Sequence, residues 1–69
     1  MSAKEQQMVA ANVALMNAKT FAESLLLEYQ AALMRYDWVA AETARTKYIA
    51  SVEALMDQFA VLYRLLEKA

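Results

Sequence analysis

Arg35-Tyr36-Asp37-Trp38 decides the fold, because here the hydrophobic periodicity of the 69-residue chain changes phase and a capping residue stands ready. Asp37 carries a short carboxylate that can accept from the free amides of a following helical turn, which makes it the expected start of a second helix. The chain contains no glycine and no proline, so no other position offers a comparable break. Strand formers are scarce: five Val and one Ile stand against fifteen Ala, nine Leu and five Met. Hairpin turns between strands also lack the glycines they usually need. The sequence therefore predicts an all-α protein, an antiparallel two-helix hairpin completed to a bundle by a partner helix or a second copy.

Outward from the turn, the reading is a single helical-hairpin domain over 1–69, with a helix over 3–35, a turn over 35–37 and a helix over 38–67. Ser2-Ala3-Lys4-Glu5 matches a capping box and opens the first helix at Ala3. At 1.5 Å per residue each helix is roughly 45 to 50 Å long. Thr20-Phe21-Ala22-Glu23 is a second capping-box match, and it predicts a rival arrangement in which the first helix breaks near Lys19 to give three helices.

On the second helix, Ala41, Tyr48, Leu55 and Leu62 share one line, with Arg45, Val52, Phe59 and Leu66 beside it and Ile49, Met56 and Tyr63 flanking. Leu25 of the first helix and Leu55, Phe59 and Leu62 of the second are the expected carriers of the intrachain core. The first helix has two apolar stripes. One holds Met8, Ala11, Leu15, Ala18, Ala22, Leu25, Tyr29, Ala32, Leu33 and Tyr36; the other, nearly opposite, holds Val9, Val13, Met16, Leu27 and Met34. One partner helix covers only one stripe. Val9, Val13, Met16, Leu27 and Met34 are therefore the expected partner-binding residues, since a hairpin of this size rarely gathers more than about 3 to 5 kcal/mol from its own core.

Composition removes most other chemistry. No His and no Cys are present, which excludes His-based triads, Cys nucleophiles, structural zinc sites and disulfides. Glu23, Glu28, Glu42 and Glu53 lack the histidines that complete a di-metal bundle site, so no metal or other cofactor is expected. A formal net charge of -1 gives no general attraction to nucleic acid. Arg35, Arg45 and Lys47 near Tyr36 and Trp38 are too few for a phosphate-binding patch. Arg45 reads as a core-edge arginine with its head on a carboxylate, and the tyrosines, without a tuned neighbour, as packing residues. The expectation is a non-enzyme without a small-molecule substrate. Charged residues interrupt every apolar run well short of a membrane span, and no run has the flanks of a signal peptide, so the chain reads as soluble and cytoplasmic.

Trp38, Tyr48, Val52 and Leu55, preceded by an acidic helix start and by an amphipathic helix ending in Leu33-Met34, look similar to the helical hairpin of small flagellar export chaperones that hold the filament-cap protein. The size and two-helix layout also resemble the co-chaperones of type III secretion needle subunits. The resemblance implies an export chaperone, co-chaperone or adaptor that holds a partner helix along an apolar groove. The alternative reading is a homodimeric four-helix bundle with a structural or RNA-binding role.

Overall fold

The structure, a computed structural model, describes residues 2–68. Helix α1 spans Ala3–Met34 and α2 spans Trp38–Glu67. They pack against each other as a hairpin measuring 51 × 17 × 11 Å. The Ser2 hydroxyl oxygen accepts from the Glu5 amide at 3.2 Å, which satisfies one of the orphan donors at the start of α1. No break occurs near Lys19, so the three-helix alternative does not form. The Thr20 hydroxyl instead donates to the Met16 carbonyl at 3.0 Å, and with no Gly or Pro nearby the helix runs through.

The turn joins two capping devices in three residues. The Tyr36 amide donates to the Leu33 carbonyl at 3.0 Å and the Asp37 amide to the Ala32 carbonyl at 2.9 Å, the paired bonds of a Schellman ending. That ending requires a left-handed residue, and Tyr36 supplies it at φ 59° where glycine is the usual occupant. Asp37, which closes α1 through its amide, opens α2 through its carboxylate: Oδ1 accepts from the Ala40 amide at 3.1 Å. At the opposite end the Lys4 ammonium donates to the Lys68 carbonyl oxygen.

The interior is narrow and made of small side chains. Ala11, Ala22, Leu25 and Ala32 of α1 and Ala41 and Ala44 of α2 are the buried residues, with Ala32 tightest at 1% exposure. Half-buried residues extend the two lines. On α1 the seam is Met8, Ala11, Leu15, Ala18, Ala22, Leu25, Tyr29 and Ala32, and on α2 it is Ala41, Ala44, Tyr48, Ser51, Leu55, Gln58, Leu62 and Leu65. Both advance by alternating steps of three and four residues, the spacing at which two long helices remain in register.

The α1 seam matches the expected first stripe except at Leu33, half-buried beside it, and at Tyr36, whose left-handed backbone turns its side chain out to 77% exposure. On α2 the seam lies to one side of the expected face. Phe59, expected in the core, is 56% exposed, while Ser51 and Gln58 are half-buried in the position a larger apolar residue was expected to hold. Ser51 tolerates this because its hydroxyl donates back to the Tyr48 carbonyl at 2.7 Å. Small residues let the two backbones approach closely, and that approach turns the bulky side of α2 outward.

Candidate functional site

Two uncovered apolar lines result, one on each helix. On α1, Val9, Val13, Met16, Leu27 and Met34 are left uncovered by α2, exposed from about half for Val13 to 83% for Met34. Thr20, Glu23 and Gln30 occupy the intervening three-four positions, so this line is apolar at its two ends and polar in the middle. On α2, Ile49, Val52, Met56, Phe59, Tyr63 and Leu66 make an unbroken three-four series. All of these are exposed except Val52, which is half-buried. The α2 line is the more continuous, and its side chains are larger than those of the inner seam.

A rotation of 100° per residue places this outer seam roughly a quarter turn from the inner seam. It lies on one broad face of the hairpin. Three clefts among the described residues lie on the other face. A cleft of about 370 Å³ near the turn is bordered by Glu28, Arg35, Thr43 and Lys47 over a floor of alanines. Ala18, Phe21, Ser51 and Ala54 line a nearly apolar cleft of about 200 Å³ midway. A third, toward the chain ends, is bordered by Gln7, Val61, Leu65 and Lys68.

The turn adds a third exposed group. Met34, Tyr36, Trp38 and Val39 are all exposed, and Tyr36 meets Trp38 edge to face with ring centroids 6.2 Å apart. The guanidinium of Arg45, at the turn side of the outer seam, makes a fork with Glu42: Nη2 to Oε1 at 2.8 Å and Nε to Oε2 at 3.1 Å. That hydrogen bond, and then the charge of Arg45, holds the Glu42 carboxyl below its ordinary range. Glu42 in turn raises Arg45, which stays charged at any working pH. The expected carboxylate partner of Arg45 is therefore present within its own helix, and the arginine head is not left facing a vacant anion site.

Among the described residues, no group of three carboxylates converges as a metal ion would require. No described helix is long and apolar enough to cross a membrane. What the surface offers is apolar contact area flanked by charge. Sequence reasoning found the α1 line and missed the α2 line, assigning its residues to the hairpin core. The missed signal was the strict three-four run from Arg45 to Leu66, which competes with the Ala41–Leu65 run for the same partner. No protein-family model, no curated protein and no solved structure matches the chain.

Proposed function

We propose that this hairpin is a protein-interaction module that docks a partner helix against its uncovered apolar lines. An export chaperone, co-chaperone or adaptor is the form of that role the sequence resemblance favours. The observation that carries the reading is the unbroken run of Ile49, Val52, Met56, Phe59, Tyr63 and Leu66 along one edge of α2, exposed at every position but half-buried Val52. Contiguous apolar surface of this kind marks an interaction site more often than ordinary solvent-facing surface. Surface area supports the same reading. The chain exposes 5307 Å², where a compact monomer of 7.8 kDa would expose about 4,400 Å². The excess is comparable to the roughly 800 Å² each partner contributes to a standard interface.

A homodimeric four-helix bundle is the second reading, since a second copy would also cover these lines. Site-specific photocrosslinking in the cells that make the protein tests the proposal. A photoreactive residue at Leu27 or at Phe59 is expected to give a discrete adduct, and one at exposed Asn17 none. An adduct of twice the chain mass selects the homodimer. Absence of any adduct from both lines overturns the module reading.

A further inference from the structure

We infer that the occupant of the α2 outer seam is a basic amphipathic helix, one with apolar residues at three-four spacing and Lys or Arg on both flanks. This rests on the module reading above and adds the chemistry of the partner. Charge is divided unequally between the two broad faces. On the outer-seam face, Glu42 stands in line with Ile49 at the turn end of the seam, Glu53, Asp57, Arg64 and Glu67 follow it on the side away from α1, and the wheel places Glu5, Lys19 and Glu23 along the facing edge of α1. Glu42 and Arg45 bind each other. The remaining margins are Glu53, Asp57 and Glu67 with Arg64 on one side, and Glu5 and Glu23 with Lys19 on the other, so acidic groups outnumber basic ones on each. Both margins are acidic.

The cleft face has the opposite balance: Arg35, Lys47 and Lys68 border its clefts against Glu28. A net charge of -1 for the whole chain conceals this division. It also selects between occupants. A second copy meeting the first through the same seam sets acidic margin against acidic margin whichever way it is turned, because neither margin is basic. A helix flanked by Lys or Arg meets opposite charge on both sides. Its seam enters a track already spaced to receive it.

Two synthetic peptides test this with the full chain. Both carry the same Leu and Ile seam; one has Lys and the other Glu at the flanking positions, and each is fluorescently labelled for anisotropy titration. The Lys peptide is expected to bind at least about tenfold more tightly at low salt, with the advantage largely lost at about 0.5 M salt. Met56→Ala with Phe59→Ala should weaken it about tenfold or more while circular dichroism shows helicity intact, and Glu53→Lys with Glu67→Lys should shift preference to the Glu peptide. Leu27→Ala with Met34→Ala should leave it unchanged.

Equal binding of the two peptides, or preference for the Glu peptide, overturns the basic-helix assignment and leaves the module reading standing. Sedimentation showing a dimer that Met56→Ala with Phe59→Ala dissociates also overturns the basic-helix assignment and selects the homodimer reading, with a second copy as the occupant. A chain that stays monomeric and binds neither peptide overturns the basic-helix assignment, and the module reading falls with it only when crosslinking from both lines also gives no adduct.

Discussion

Two lines run the length of α2, and the chain buries the one with the smaller residues. The inner seam holds Ala41, Ala44, Ser51 and Gln58 between Tyr48, Leu55, Leu62 and Leu65; the outer seam holds Ile49, Val52, Met56, Phe59, Tyr63 and Leu66. If apolar area alone set the orientation of α2, at ~25 cal/mol per Å² the outer seam would face α1. It does not, because α1 presents Ala11, Ala18, Ala22 and Ala32, and two alanine-rich lines pack closely only against each other. Ala32, Ala41 and Ala44, all buried near the turn, fix that choice where the helices first meet. Small residues determine the pairing within the chain, and large ones are left for pairing beyond it.

The largest expected effect tests this division directly. Leu25 is the one large side chain of α1 that is buried, at 6% exposure. Leu25→Ala should cost about 2 to 5 kcal/mol, enough to unfold much of a marginal hairpin at room temperature. Phe59→Ala, on the outer seam, should cost less than about 1 kcal/mol in the isolated chain. Urea melts followed by circular dichroism measure both. Comparable losses would show that α2 faces α1 with its bulky side in solution.

Overpacking sharpens the comparison from the other direction. Ala32 has no room for added methyl groups, so Ala32→Leu should destabilise by about 1 to 3 kcal/mol although it adds apolar area. The matching change on a solvent-facing alanine, Ala50→Leu, should stay within about 0.5 kcal/mol of wild type in the same melts. A neutral Ala32→Leu would mean the helices are not held together by close alanine contact.

At the turn the expected effects are smaller and opposite in sign. Asp37→Ala removes the acceptor for the Ala40 amide and should cost about 0.5 to 2 kcal/mol. Tyr36→Gly relieves a left-handed tyrosine and should raise stability by up to about 1 kcal/mol, even though it removes the edge-to-face contact with Trp38. Thermal melts that move the same way for both variants would contradict the capping geometry. The pair also shows how legible this region was. Asp37 as N-cap could be read directly from residue type and position, because capping is a local interaction. That Tyr36 would take the left-handed position could not, since tyrosine carries no preference for it.

The same distinction separates the rest of the fold from the candidate site. Helix content, the turn and the inner stripe of α1 were legible because they depend on local spacing and on the missing glycine and proline. The facing side of α2 was not. Its wheel carries two overlapping three-four runs, and a wheel centred on Leu55 includes Phe59 and Leu66 as readily as Ser51 and Gln58. Only the residue sizes on the opposing helix choose between them, and that is a property of the pair. On α1 the two stripes were nearly opposite, so no such competition arose and Val9, Val13, Met16, Leu27 and Met34 fell on the uncovered side as expected.

The smallest expected effect lies at the turn-side end of the outer seam, where Glu42 and Arg45 form their fork. The carboxyl of Glu42 is lowered from 4.5, first by its hydrogen bond to Arg45 and then by that residue's charge. A depressed folded-state value means the pair stabilises the fold above the unfolded value, and that this contribution disappears as the pH falls through the folded one. Both side chains are exposed, so solvent screening keeps the change in stability slight, and the titration itself is the better readout. In an NMR titration, Glu42 should lose its proton below its ordinary range in wild type and return to that range in Arg45→Met. Added salt at about 0.5 M should narrow the difference without abolishing it, because the fork is a hydrogen bond as well as a charge pair. An unaltered Glu42 in Arg45→Met would mean the fork does not persist in solution. Arg45 would then stand free at the end of the outer seam, adding a cation to a margin otherwise acidic, and the contrast between the two faces of the hairpin would weaken at that end.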